Sequence, residues 1–176
     1  YATLGSQIKC NPAIKKVSDR DAVRRAVLDG RISILATDHA PHTWEEKQGS
    51  YFNAPSGLPL IQHTLLLMLE MCEQNCFTPE LIVERACHAP ARLFQVEERG
   101  YLREGYWADL VVVDPEGKTP VKDRELFSKC GWSPFPYLTF TNAISTTIVS
   151  GKVAYDHGKL QMDCRGQRAK FARDRR

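Results

Sequence analysis

The chain has 176 residues and a formal net charge of +3. That is enough for one domain core, on a prior of roughly 100–200 residues per domain, and well short of the ~250 residues of a complete TIM-type barrel. So small a charge gives no argument for a polyanion partner, and no run approaches ~18 uninterrupted apolar residues, so neither nucleic-acid binding nor a membrane span is expected.

From the N-terminus, residues 6–10 read as a short strand ending at the Asn11-Pro12 turn. Ser18 is placed to cap a helix, with Asp21 in the acidic capping position, Gly30 as the stop, and Val23, Ala26 and Val27 as the apolar stripe. The apolar run at 32–37 makes a second strand. Strand, helix and strand with short connections form a βαβ unit with a right-handed crossover. Residues 38–57 are a long connection punctuated by Pro41, Gly49, Pro55 and Gly57. A connection of this length is usually functional or disordered, and Trp44, Tyr51 and Phe52 are available to pack it down, which favours a structured loop.

The segment 58–73 is apolar nearly all round at Leu65-Leu66-Leu67-Met68-Leu69 and reads as a helix buried between layers. His63 within it reads as a packing or surface histidine. Thr78-Pro79 opens another helix, with threonine as N-cap and proline in the first turn, running to about His88 and continued by Ala91-Arg92-Leu93-Phe94 after Pro90. From Gly100 the pattern turns to β: 110–113 is a continuous apolar strand, and 144–150 with 153–156 reads as a hairpin around Gly151-Lys152. The tail, with Arg165, Arg168, Lys170, Arg173, Arg175 and Arg176, reads as a solvated, poorly ordered terminus.

The six cysteines, Cys10, Cys72, Cys76, Cys87, Cys130 and Cys164, form no compact framework. Cys72 and Cys76 share a helix face, but without a second cysteine pair or a nearby histidine cluster they read as packing thiols. Free thiols point to a reducing compartment, with the cytoplasm as the default.

The most informative segment is Thr37-Asp38-His39-Ala40-Pro41-His42. An apolar strand delivers an acid at its C-terminal tip, proline turns the chain, and two imidazoles follow within four residues. A carboxylate at a strand tip is costly unless a metal, a hydrogen-bond network or a catalytic proton compensates it, and in a (β/α) barrel that tip is where catalytic groups sit. The bland reading is a turn-capping aspartate beside a satisfied histidine.

This hexapeptide resembles the signature that closes the active site of dihydroorotases, cyclic amidohydrolases with a metal-bearing TIM-type barrel. Lys9-Cys10-Asn11-Pro12 resembles the family's preceding-strand motif, and Ala54-Pro55-Ser56-Gly57 its small-residue turn. Tyr101-Leu102-Arg103-Glu104-Gly105, the segment 108–114 and the segment 147–153 are similar to amidohydrolases more generally. One departure stands out: the family's asparagine motif commonly continues with a second proline and an arginine, whereas this chain reads Asn11-Pro12-Ala13-Ile14-Lys15.

The resemblance implies an α/β fold: residues 1–99 as the C-terminal part of the barrel, with its last two strands, 100–160 as part of a small β-sandwich module, and 161–176 as the basic tail. With Tyr1 in place of an initiating methionine, the chain is expected to be the C-terminal piece of a longer enzyme. The implied reaction is reversible opening of the dihydroorotate ring to N-carbamoyl-aspartate in pyrimidine synthesis. Asp38 would ligate metal and shuttle the proton, His42 would contact the substrate carboxylate, Asn11 the pyrimidine ring, and the Ser56 and Gly57 backbone would complete ring recognition. His39 is expected to make a structural hydrogen bond.

The implied cofactor is a zinc pair. The family's other ligands (a His-x-His pair, further histidines and a bridging carboxylated lysine or aspartate) are not found in this sequence. A homo-oligomer is implied for the whole protein. The alternatives are a hydantoinase- or allantoinase-type enzyme, whose substrates lack the dihydroorotate carboxylate, and a non-catalytic amidohydrolase-like assembly partner.

Overall fold

The computed structural model describes residues 2–122 and 125–172. Its first half is helical: α1 Val17–Leu28, α2 Trp44–Lys47, α3 Thr64–Glu73, α4 Pro79–Val83 and α5 Ala89–Leu93, with 3-10 turns at Gly5–Ile8 and Ile61–His63. The second half is β: β1 Leu110–Asp114, β2 Thr119–Pro120, β3 Thr139–Phe140, β4 Ala143–Val149, β5 Lys152–Asp156 and β6 Lys159–Leu160. Antiparallel pairing gives a four-stranded sheet in the order β1-β4-β5-β6 and a separate β2-β3 pair. None of the described helices is long and apolar enough to cross a membrane.

The helices follow their capping chemistry. Asp19, in the first turn of α1, accepts a hydrogen bond from the Lys16 amide at 3.0 Å, so the helix starts at Val17 and Ser18 lies inside its first turn rather than capping it. Gly30, at a φ of +86°, does stop it. Of the expected stripe, Val27 is buried and Val23 is exposed. Thr78 caps α4 as expected, its hydroxyl accepting from the Leu81 amide at 3.2 Å, with Pro79 in the first turn.

Between α4 and α5 the helix widens into a π turn, Glu84–His88, in which the Ala89 amide reaches back to the Glu84 carbonyl. Pro90 explains the sequel. It has no N–H, so the Arg85 carbonyl lacks its donor five residues on and instead accepts from the Leu35 amide at 3.0 Å.

The two expected N-terminal strands are corrected. Residues 5–8 form a 3-10 turn, with Gly5 at a φ of +50° and the Ser6 hydroxyl donating to the Lys47 carbonyl. Residues 33–38 carry no ladder, because no described segment lies beside them as a strand. They are held instead at both ends, by Ile32 to the Ala26 carbonyl and by a parallel bridge between His39 and Leu58.

The β half matches its pattern better. The Ser150-Gly151 turn, with φ values of +51° and +82°, joins β4 to β5 as a tight hairpin. The apolar β1 is an edge strand, and Val111 and Val112 are 46% and 50% exposed.

Helical and β halves meet on α3. His63 stacks on the fully buried Phe140 at a centroid distance of 5.6 Å, and the Glu70 carboxylate accepts from the Thr141 amide and, at 2.7 Å, from its hydroxyl. The basic tail, expected to be loose, is docked over residues 167–172: Phe171 bridges Val96, the Glu97 amide donates to the Lys170 carbonyl at 2.9 Å, and the Gln167 amide to the Ser150 hydroxyl at 3.1 Å. Arg173, Arg175 and Arg176 lie outside the described residues.

Candidate active site

Asp38 ends the apolar run at a φ of +45°, a left-handed conformation that aspartate tolerates better than most side chains. Its carboxylate is exposed. His39 turns the other way: its Nδ1 accepts from the Leu60 and Ile61 amides at 3.0 and 3.2 Å. These are donors at the mouth of the 3-10 turn Ile61–His63 that have no partner within it. With Nδ1 accepting, the neutral ring carries its proton on Nε2. This is the structural hydrogen bond expected for His39.

His42 lies past Pro41 and leads into α2. A capping box starts that helix: the Thr43 amide donates to the Glu46 carboxylate at 2.8 Å, and the Glu46 amide to the Thr43 hydroxyl at 3.3 Å. The same Glu46 carboxylate lies 3.5 Å from His42 Nδ1. His42 Nε2 is 3.2 Å from the Ser56 carbonyl, and the His42 carbonyl accepts from Trp132 Nε1 at 2.8 Å. The imidazole is thereby fixed between the loop and the small-residue turn.

Lys47 closes α2 and is 0% exposed. Its Nζ donates to the carbonyls of Lys9, Pro55 and Gly57 at 3.1, 3.0 and 3.1 Å. Burial pushes its ammonium below the ordinary lysine range. The Trp132 ring lies 5.9 Å from Nζ and packs edge-on against Trp44. The loop is indeed structured: Trp44 packs on Trp132, the Tyr51 ring lies against Lys9 Nζ, and the buried Lys47 adds to this, while of the three expected aromatics Phe52 is the one left out, 90% exposed.

Gly57 sits at a φ of +145°; a Cβ there would collide with the Ala40 carbonyl and lie 3.0 Å from the His42 ring. Its amide donates to the Lys9 carbonyl at 3.0 Å. Lys9 returns along the same seam, its Nζ donating to the Ala54 carbonyl at 2.6 Å.

The segments that carry Asn11, Asp38, His42, Ser56 and Gly57 are thus tied to one another. Asn11 is exposed two residues beyond the Lys9 carbonyl, and Ser56 is exposed between Pro55 and Gly57. The Gly57 N–H donates to the Lys9 carbonyl and its C=O accepts from Lys47 Nζ, so what the glycine itself adds here is close approach of the chain. Lys47, Glu46 and Trp132 are absent from the sequence reading. Lys47 sits in Thr43-Trp44-Glu45-Glu46-Lys47, which looks like an ordinary solvated turn, and Trp132 comes from 90 residues downstream of His42. His63 is buried and stacked, and burial lowers its tendency to protonate. Among the described residues no group of three or more His, Cys, Asp or Glu side chains could hold a metal ion.

A sequence profile of the amidohydrolase family matches residues 9–154. A dihydroorotase from Clostridium acetobutylicum is 36% identical over 153 residues, covering 86% of this chain and 36% of its own length. Another from Halobacterium salinarum is 36% identical over 132 residues, covering 75% of this chain and 31% of its own. The chain therefore spans about a third of the length of the curated relatives it matches. Among solved structures, L-hydantoinase from Arthrobacter aurescens superposes with a TM-score of 0.85 at 27% identity, over 90% of this chain and 36% of that one.

Proposed function

Because the chain belongs to the amidohydrolase family, we propose that it carries the substrate-binding side of a dihydroorotase active site, acting in reversible hydrolysis of dihydroorotate to N-carbamoyl-aspartate. The observation that carries this reading is the seam joining the Asp38–His42 turn to the Ser56–Gly57 turn, through His42 to the Ser56 carbonyl and Lys47 to the carbonyls on both sides of Ser56. The dihydroorotase relatives support it.

In this reading residues 1–99 complete a TIM-type barrel whose remaining strands lie outside this sequence, 100–160 belong to a β module that is likewise shared, and 161–176 form the basic C-terminal tail. The barrel neighbours would supply strand partners for residues 33–38. The whole enzyme would be a cytoplasmic homo-oligomer.

Ring opening adds water to the amide carbonyl carbon, breaks its C–N bond and returns a proton to the departing nitrogen. The Asp38 carboxylate, exposed at the end of its run, accepts the proton from the attacking water and delivers it to that nitrogen. His42 is the proposed donor to the substrate carboxylate; its two ring nitrogens face the Glu46 carboxylate and the Ser56 carbonyl, both acceptors, so the substrate carboxylate takes the place of one of them. The Asn11 amide can both donate and accept toward the ring, the Ser56 backbone borders it, and Gly57 lets the chain come close. The family implies a metal, for which a zinc pair is proposed. Asp38 is the one ligand proposed for it from this chain, and a lone carboxylate does not make a site for two ions.

The test is an assay of the full-length protein on dihydroorotate and N-carbamoyl-aspartate beside hydantoin and dihydrouracil. Turnover of the carboxylate-bearing pair in both directions is expected. Turnover confined to the rings without a carboxylate would instead make it a hydantoinase-type enzyme.

A further inference from the structure

A fully buried ammonium with no carboxylate partner among the described residues calls for an explanation. Lys47 has no ion pair with any described residue, and its desolvation opposes the charged form. An apolar side chain of similar length would avoid that cost. What only a compact cation achieves here is to gather three carbonyls, from Lys9, Pro55 and Gly57, around one point. Each ammonium proton has one acceptor, so the geometry is saturated.

Those carbonyls flank the residues proposed to meet the substrate. Pro55 and Gly57 bracket Ser56, and Lys9 lies two positions before Asn11. The Lys9 carbonyl also takes the Gly57 amide at 3.0 Å, so the two segments share an acceptor. Lys47 itself is anchored: its amide donates to the Thr43 carbonyl at 3.2 Å, and its own carbonyl receives the Ser6 hydroxyl. Its helix starts directly after His42.

We propose that Lys47 is a positioning residue of the active site: its buried ammonium sets the spacing between the Asn11 segment, the Ser56 turn and His42 without touching the substrate. The inference rests on the dihydroorotase reading. It adds that binding of the ring and its carboxylate depends on a cation held behind the site.

The experiment uses the full-length enzyme, with wild-type turnover of dihydroorotate measured first; its absence would fail the functional reading and leave Lys47 aside. With turnover established, Lys47→Met, Lys47→Arg and Lys47→Gly are compared, with folding followed by circular dichroism. Misplaced contacts raise KM for dihydroorotate by about 10–100-fold with a smaller effect on kcat. A role in folding alone lowers the active fraction and leaves KM where it was. Lys47→Arg keeps the charge, but its planar fork does not match three converging carbonyls, so it too should raise KM.

In Lys47→Gly, added ammonium or potassium should restore KM in part, because a compact cation can reoccupy the carbonyl cage; tetramethylammonium should not. Folded variants with KM within twofold of wild type, or a folded Lys47→Gly indifferent to all three cations, overturn the proposal. Should Met and Gly fail to fold, Lys47→Arg decides on the same KM criterion.

Discussion

Asp38 occupies a left-handed backbone position at the end of an apolar run, with its carboxylate outward. No described partner consumes that charge, which leaves it available to bind and to carry protons. Asp38→Ala in the full-length enzyme should therefore lose turnover, by about 10²–10⁴-fold from the proton role alone; near-normal turnover would remove Asp38 from the chemistry. His42→Ala should act differently, because its proposed partner is the ring carboxylate. A charge-assisted hydrogen bond is worth roughly 1.5–3 kcal/mol, so the loss should fall on dihydroorotate and spare a cyclic amide of the same ring without the carboxylate. Equal losses on both would place His42 with the fold. Asp38 and His42 stand out in the sequence as candidates because their residue types and spacing are unusual. Lys47 does not, since a lysine after two glutamates reads as surface, and only the fold shows that its tip is enclosed by backbone.

Among the elements, those defined by local chemistry were legible and those defined by a neighbour were not. The Thr78-Pro79 start and the β4–β5 hairpin need nothing beyond their own residues: the start formed as read, and the hairpin formed with its turn at Ser150-Gly151, one residue before the Gly151-Lys152 turn expected. Residues 32–37 read as a strand but carry no ladder, since an apolar run becomes a strand only when another pairs with it. The π turn at Glu84–His88 depends on Pro90 and on Leu35 arriving from far away in sequence. His63 gives a test at this scale, because it joins the Ile61–His63 turn to β3. Burial holds its folded-state pKa below the ordinary 6.5. As pH falls below the unfolded value toward the folded one, the unfolded chain takes up the proton first, so the stability contributed by a neutral His63 is lost on acidification. His63→Phe keeps an aromatic ring against Phe140 and removes the titration. Its unfolding midpoint should fall less on acidification than that of wild type; parallel curves would mean that His63 protonates without consequence for the fold.

At the scale of the whole molecule, the accessible surface is 12002 Å², whereas a compact monomer of 19.9 kDa exposes about 8,700 Å². Exposed apolar side chains include Ile14, Val17, Val23 and Leu28 in and beside α1, Val111 and Val112 on the outer strand β1, and Phe52, Leu102 and Met162 elsewhere. Such surface invites association, and an apolar edge strand most of all. Neither the site nor the sheet is closed by the described residues, and Asp38 is the only residue proposed here as a metal ligand. The 176-residue chain on its own should therefore self-associate, bind zinc weakly and fail to turn over dihydroorotate, even though the seam around Lys47 and the β4–β5 hairpin are formed within it. Sedimentation velocity with and without zinc, alongside the activity assay, measures this directly. A monomeric species that hydrolyses dihydroorotate would mean that the exposed apolar surface needs no further chain to cover it, and that the catalytic ligands lie within these residues after all.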